Sequence, residues 1–461
     1  MKIALVDPKG VSSGLNSGLA YLIPQIKKVK KVTLVKLFDF NNSNPSIDKI
    51  KDFDIVGISI KSFTQDSGLE IIKKIKEKNK LLIAGGPHLM IDGYDFMSKN
   101  KEVDVGIVGE AEETIIDLIN NIGNLKKVKG IYYRDNNKVV KTETRPFTQD
   151  LDKLEFPDFS YFNTKIKVYP LVTSRGCPFN CSYCSVNLIS GRKWRSRSVA
   201  SIIKELKHAI KEYKIKEFEI IDDDFTLDMD RAKEFCKALI KEKLNLKWGC
   251  PNGIRADRVD YELLTLMKQS GCTAVSYGIE SGDSFVFQKI NKGESLDVIK
   301  NAITMSKKIG LYVQGKFIIG LPYSNKKTFK NSLKFALSLP LDEANWNMLV
   351  PYPGTQVYDW VLKNGKFLKP WQFGFHTGDI PEPIFETKEH TKKEMINEAI
   401  KANVVCHNFG IYYKKDKSRL YNIFNLLYLI FRYDPERFHK HILNLTKKFY
   451  RRQKLTYIYP A

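Results

Sequence analysis

Short, wholly apolar runs recur along the chain, each followed by an amphipathic stretch. This alternation restricts the fold more than any other feature. Lys2–Asp7 carries Ile3, Ala4, Leu5 and Val6 in succession, and Val32–Phe38, Asp54–Ile60, Leu81–Gly85 and Val103–Gly109 follow at similar spacing. A strand with apolar residues on both faces must be covered on both faces, which requires a parallel sheet with helices packed above and below. The intervening stretches suit that covering role: Leu69, Ile71, Ile72 and Ile75 fall on one side of a helix. Ile131–Tyr133 and Lys138–Val140, joined through Asp135-Asn136-Asn137, predict a hairpin, and Leu154–Asp158 with Pro157 predicts an extended linker. A second alternation has strands at Tyr169–Ser174, Glu217–Asp222, Leu246–Pro251, Thr273–Glu280, Tyr312–Gly320 and Asn345–Pro351. After Pro353 it stops. The expected fold class is α/β: a Rossmann-like (flavodoxin-like) parallel sheet domain over residues 1–150, a partial (βα)6 TIM-like barrel over 165–355, and a mainly helical region over 356–461.

Composition limits the setting. Seven cysteines in 461 residues do not make a disulfide scaffold. No apolar run approaches the roughly 18–20 residues of a spanning helix, and Asp7 interrupts the first strand too early for a secretory leader. A cytoplasmic protein is the expectation. The 75 Lys and Arg outweigh the 52 Asp and Glu by 23 charges. Between Ile411 and Ala461 there are 12 basic residues against 3 acidic ones, around the apolar segment Phe424–Phe431. That segment reads either as a buried core helix or as an interfacial one, with peripheral membrane contact through the basic C-terminus and a lipid-like or other anionic substrate as the corresponding expectation.

Doubly covered parallel sheets bind ligands at the carboxyl ends of their strands. In the first domain those ends bring forward Ser59, Gly85-Gly86-Pro87-His88 and Gly109-Glu110, with glycines that allow a bulky ligand close to the backbone. At the first strand of the second alternation lies the most specific motif of the chain, Gly176-Cys177-Pro178-Phe179-Asn180-Cys181-Ser182-Tyr183-Cys184. Cys177, Cys181 and Cys184 on one short loop suit three corners of a [4Fe–4S] cluster and leave the fourth iron open. Structural zinc needs four ligands, and the nearest histidine, His208, lies 24 residues beyond Cys184.

This motif, after the first strand of a six-strand alternation, resembles the radical S-adenosylmethionine (SAM) superfamily. The resemblance implies that the open iron chelates SAM and that its reductive cleavage yields a 5′-deoxyadenosyl radical. Tyr183 stands at the family's aromatic position near the adenine. Asp222 and Asp223 in Asp222-Asp223-Asp224-Phe225-Thr226 occupy the place of the segment that receives the SAM amino group, departing from the commoner Gly-Gly-Glu wording. Capping of the next helix is the alternative reading for these acids. Glu280 in Tyr277-Gly278-Ile279-Glu280-Ser281 matches a SAM-facing position, against a salt bridge to a barrel Lys or Arg. Arg255 suits a SAM carboxylate or substrate anion, against an ordinary ion pair.

Over roughly residues 1–360 the chain is similar to the branch with an N-terminal cobalamin (B12)-binding domain. The resemblance places Ser59, Gly85, Gly86, Pro87, His88, Gly109 and Glu110 at the corrinoid. Asp-x-His-x-x-Gly is absent, so no histidine ligand from that motif is expected. The implied reaction is methylation of an unactivated carbon or phosphorus centre of a small-molecule or lipid-like substrate, with a flavodoxin or ferredoxin as reductant. Oxidative cyclisation or rearrangement without methyl transfer is the alternative, and a non-catalytic iron–sulfur electron-transfer protein the alternative of another class. Nucleic acid is not an expected partner: tRNA methylthiotransferases carry further cysteines in the N-terminal domain, and no cysteine precedes Cys177.

Overall fold

A computed structural model describes residues 1–10, 14–76, 80–374, 382–406, 419–438 and 441. The strands of the first sheet are β1 (Lys2–Asp7), β2 (Leu34–Asp39), β3 (Ile55–Ser59), β4 (Leu81–Gly85), β5 (Val105–Ile107), β6 (Ile131–Asp135) and β7 (Lys138–Lys141). They lie in the order β2-β1-β3-β4-β5-β6-β7. β1 to β5 pair in parallel, and β6 and β7 add the hairpin antiparallel at the β5 edge. Helices α1 (Ser17–Lys27), α2 (Gln65–Ile75) and α3 (Pro87–Lys99) connect parallel strands, and α4 (Ala111–Asn120) leads from β5 to the antiparallel β6. Ile71, Ile72 and Ile75 of α2 are buried against Val56, Ile58 and Leu82, as the helical spacing requires.

The next strands are β8 (Tyr169–Leu171), a two-residue β9 (Ser174–Arg175) paired antiparallel with β10 (Arg195–Ser196), and β11 (Glu217–Ile220). They are followed by β12 (Lys247–Ile254), β13 (Cys272–Glu280), β14 (Tyr312–Ile319) and β15 (Glu343–Met348). Helices α5 (Val186–Ile189), α6 (Val199–Tyr213), α7 (Met229–Lys241), α8 (Tyr261–Gln269), α9 (Ser284–Lys289), α10 (Leu296–Lys308) and α11 (Lys326–Ser338) intervene. α12 (Gln356–Asn364), α13 (Lys392–Val405) and α14 (Arg419–Tyr433) form the helical C-terminal region, with a small hairpin of β16 (Gly365–Phe367) and β17 (Phe385–Thr387).

The chain forms two compact units. One contains residues 1–178, 185–225 and 234–248; the other contains 179–184, 226–233 and 249–461. In the first, β11 pairs in parallel with β8. Beneath them Glu205, fully buried on α6, pairs with Arg197 and accepts a hydrogen bond from the Tyr169 hydroxyl at 2.7 Å. In the second, β13, β14 and β15 pair in parallel, and the register of β13 slips between Gly278 and Glu280.

The segment Phe424–Phe431 divides between its two readings. Leu429 and Ile430 of α14 pack on Ile400 and Val404 of α13, while Phe424, Tyr428 and Phe431 remain exposed. Among the described residues no helix is long and apolar enough to cross a membrane. The basic tail beyond position 441 lies outside the described residues.

Candidate active site

In the first unit, the carboxyl ends of β1, β3, β4 and β5 open onto a cavity of about 480 Å³, within the range of cofactor sites. Ser59, Gly85, Gly86, Pro87, Gly109 and Glu110 line it, and so do Arg175 and Asp223. The backbone explains why glycine stands at two of these places. Gly86 has φ +104°, and a Cβ there would lie 2.7 Å from the Ile60 carbonyl oxygen. Gly109 has φ +101°, and a Cβ there would meet nothing within 4 Å. Its missing side chain therefore leaves open space, a cradle of the kind a large planar ligand needs. Polar order comes from Asn16, whose side-chain amide donates to Asp7 at 2.7 Å and to Ser59 Oγ at 3.1 Å.

His88 stands apart from the cavity lining. It is buried, with Nδ1 3.2 Å from Ser62 Oγ and its ring edge-on to Phe96. Burial lowers its pKa to about 4, so it is neutral at neutral pH. Glu110 lines the cavity with its carboxylate already engaged. It accepts from Arg195 Nη1 at 2.8 and 2.9 Å and from the Thr148 amide at 2.7 Å, and Arg175 lies 3.1 Å away. Burial raises its pKa, but the two guanidiniums outweigh that and hold it below the usual carboxylate range.

The two aspartates at the end of β11 diverge. Asp222 is buried and saturated by its own neighbourhood, accepting from the Thr173 amide at 2.6 Å, the Thr173 hydroxyl at 2.5 Å and the Ser174 hydroxyl at 2.7 Å. Asp223 reaches the cavity wall and accepts from the Gly176 amide at 2.9 Å, directly before Cys177. Gly176 itself has φ +88°, and a Cβ there would strike the Lys193 carbonyl at 2.4 Å.

In the second unit, the remainder of the cysteine loop meets the end of β13. Tyr183 is half-buried with its phenol hydrogen-bonded to Glu280, and desolvation raises its pKa well above the ordinary value. Glu280 sits at φ +62°, a left-handed conformation that costs a non-glycine residue roughly 1–2 kcal/mol. Lys292 Nζ lies 2.9 Å from Glu280 and 3.6 Å from Glu294. The alternative reading of Glu280, an ion pair with a barrel lysine, is therefore realised here. Gly278 makes room for it: a Cβ there would lie 2.3 Å from Glu280 Oε1 and 2.6 Å from Lys292 Nζ. Arg255 is also paired, bidentate on Asp257 at 2.8 and 2.9 Å, donating to the Lys292 carbonyl at 2.9 Å, with its guanidinium 3.5 Å from the Phe179 ring centroid.

All three motif cysteines are outside any disulfide and only partly buried. Burial raises the Cys181 pKa, while Lys292 and Arg255 oppose it. Soft thiol donors facing cationic side chains suit an anionic iron–sulfur cluster. Among the described residues no three His, Cys, Asp or Glu side chains close on a single metal ion; a cubane instead distributes its ligands over separate irons.

The sequence reading missed Lys292, Glu294, Phe179, Arg175 and Arg195. Lys292 and Glu294 lie in the turn after α9, where no periodicity signals burial. Arg195 belongs to the basic run Arg192-Lys193-Trp194-Arg195, which reads as surface.

Comparison with known proteins matches residues 171–336 to the radical SAM superfamily. An uncharacterized methyltransferase of Pyrococcus horikoshii is 31% identical over 86% of this chain and 90% of its own length. The anaerobic magnesium-protoporphyrin IX monomethyl ester cyclase of Cereibacter sphaeroides is 25% identical over 90% of this chain and 71% of its own. Among solved structures, the radical SAM methyltransferase TsrM from Kitasatospora setae, with cobalamin and a [4Fe–4S] cluster bound, superposes with a TM-score of 0.69 at 15% identity, covering 78% of each chain. The cysteine loop, the strands that carry it and these likenesses together place the chain in the radical SAM superfamily of enzymes, with a parallel-sheet domain ahead of the family segment.

Proposed function

We propose that the protein is a cobalamin-dependent radical SAM methyltransferase acting on an unactivated carbon or phosphorus centre of a small-molecule substrate. The observation that carries this reading is the glycine-floored cavity at the strand ends of the first unit, with Gly109 open beneath it. Residues 1–150 would be the cobalamin-binding domain, 165–355 the radical SAM core and 356–461 the substrate-specificity region. Similarity to a protein named as a methyltransferase supports the reaction type. When bound, the cluster and SAM supply a hydrogen-abstracting radical and cobalamin supplies a methyl carrier.

The chain's own residues then have separable tasks. Cys177, Cys181 and Cys184 hold the cluster. Tyr183, kept protonated, packs beside it and fixes the Glu280 carboxylate by donating to it. Glu280 would accept from the SAM amino group and Arg255 would balance the negative charge of the loop, while Asp223, in the first unit, holds the Gly176 amide directly before Cys177. Ser59, Gly85, Gly86, Pro87, Gly109 and Glu110 form the cobalamin cradle. His88, outside the cavity lining, pairs with Ser62 directly after the Gly85-Gly86-Pro87 turn.

The test is anaerobic reconstitution with iron, sulfide and hydroxocobalamin, then metal analysis after desalting. About four irons and one cobalt per chain are expected. Four irons with no cobalt would refute cobalamin binding. Similarity to a cyclase gives the second reading, oxidative cyclisation without methyl transfer. SAM labelled in its methyl group separates the two: label enters the product only in methylation.

A further inference from the structure

We propose that the exposed face of α9 and α12 is the docking surface for the electron donor, an acidic carrier protein of the flavodoxin type. The inference rests on the reading of Cys177, Cys181 and Cys184 as cluster ligands. The backbone of Ser182, between the second and third cysteines, is held by these two helices. Its amide donates to the Ile290 carbonyl, just after α9, at 3.0 Å, and its carbonyl accepts from the Val357 amide in α12 at 3.1 Å. Asn291 reaches the Asn180 carbonyl of the same loop at 3.2 Å.

The outer surface of this support is aromatic and basic. Phe285 on α9 is 52% exposed and Tyr323 is 47% exposed, with ring centroids 5.9 Å apart. Trp360 of α12 follows at 5.4 Å from Tyr323. Lys289 Nζ lies over both Phe285 and Tyr323, at 5.4 and 5.7 Å from their centroids. Tyr323 holds φ +65°, an unfavourable conformation for a bulky residue, while its ring stays at the surface. Such strain gains nothing from core packing. Exposed aromatic clusters with cations are characteristic of protein interfaces.

Charge and chemistry choose the occupant. Lys326 and Lys327, both exposed, open α11 three residues after Tyr323; Asp359 is the exposed acid on α12. In a chain of net charge +23, this patch suits an acidic partner. The apolar edge of a protein-bound flavin suits the three rings. Phe285 stands five residues, roughly 7–8 Å of helix rise, from Ile290, so a flavin seated there lies close to the cluster loop. The transfer balances simply. The flavin hydroquinone anion loses one electron and becomes the neutral semiquinone, the cluster takes that electron, and no proton moves.

The experiment uses the reconstituted enzyme and its Lys289→Glu and Tyr323→Gly variants. Glycine accepts the left-handed backbone at 323, so the second variant removes the ring without straining the turn. Binding of oxidised flavodoxin is measured by quenching of flavin fluorescence at low and high salt. 5′-Deoxyadenosine formation is measured with dithionite and, separately, with flavodoxin reduced by NADPH and its reductase. We expect both variants to weaken flavodoxin binding at least ten-fold, with a reduced salt dependence for Lys289→Glu. Flavodoxin-driven cleavage falls in step and dithionite-driven cleavage is unchanged. Wild-type affinity and flavodoxin-driven rate in both variants would overturn the docking surface. No dithionite-driven cleavage by the wild type would overturn the cluster assignment, and the proposal with it.

Discussion

Replacing Lys292 with methionine keeps most of the apolar stem of the side chain and removes the cation that two buried carboxylates share. At an effective dielectric of about 20, a charge 2.9 Å from Glu280 contributes about 6 kcal/mol and one 3.6 Å from Glu294 about 5 kcal/mol. Most of this is offset by desolvation of the three groups, and stranding a buried charge costs a net of about 3–5 kcal/mol. Arg255 cannot replace the lost cation for Glu280, because it is bidentate on Asp257. Burial already raises the Glu294 pKa, so the stranded Glu294 should take up a proton, and the loss should be smaller at pH 5 than at pH 8. The assay is hydrogen exchange of peptides from Cys272–Glu280 in the full-length protein. Protection should fall by a factor between about one hundred and several thousand, as follows from about 1.4 kcal/mol per ten-fold change. Adding Glu280→Gln should restore at least half of the lost protection, since a neutral amide needs no counter-charge. A single variant within about 1 kcal/mol of wild type at pH 8 would refute the claim that this pair holds the end of β13 together.

Three further outcomes follow from the geometry. Cys177→Ala, Cys181→Ala and Cys184→Ala should each reduce bound iron from about four to below one per chain while far-ultraviolet circular dichroism is unchanged; iron retention in any one would remove that residue from the ligand set. Gly86 and Gly109 both hold φ above +100°, so alanine is strained at either; Gly86→Ala, which also drives a Cβ to 2.7 Å from the Ile60 carbonyl, should destabilise the first unit by about 1–3 kcal/mol and by more than Gly109→Ala does, whereas Gly109→Ala should weaken hydroxocobalamin binding more than Gly86→Ala does; equal effects of the two variants on both measurements would remove the distinction between a structural and a cradle glycine. His88 is depressed from 6.5 to about 4 on folding, so its contribution is complete above pH 6.5 and is lost as pH falls towards 4, by up to about 3 kcal/mol; His88→Leu should flatten that acid limb of the stability curve, and an unchanged limb would show that His88 does not cause it.

The fold was legible where one physical demand dominated. Continuous apolar runs such as Ile3–Val6 admit little besides a doubly covered strand, and β1 and β4 have the bounds their apolar character suggests. Strand ends were less clear: the region after Tyr169 divides at Val172 because Thr173 and Ser174 turn to satisfy Asp222. The hairpin at 131–141 was visible, but its union with β5 was not, since local patterning carries no information about which edge a hairpin joins. At the proposed site, the cysteine motif stands out by its spacing alone. The ion pairs do not. Lys292, Arg175 and Arg195 look like the solvated lysines and arginines that fill this chain, and only tertiary burial separates them. His88 shows the reverse case, a histidine conspicuous beside Gly-Gly-Pro whose ring is turned into the interior against Phe96.

The ion cluster around Glu110 has a consequence for modularity. Glu110 and Glu112 belong to the N-terminal sheet's last βα connection, whereas their partners Arg175 and Arg195 flank the cysteine loop in sequence. Arg195 is almost wholly inaccessible to solvent and spends its donors on Glu110, Thr148 and Ser190. A chimera that exchanged only residues 1–150 with a relative would inherit acids chosen for another protein's bases and would bury a mismatch of charge. The N-terminal sheet is thus a segment of sequence that can be recognised alone but not transplanted alone. Its transferable block extends at least through α6, because Glu205 on that helix is the buried partner of Arg197 and Tyr169, and swaps drawn beyond that helix should fold where swaps drawn in the linker do not.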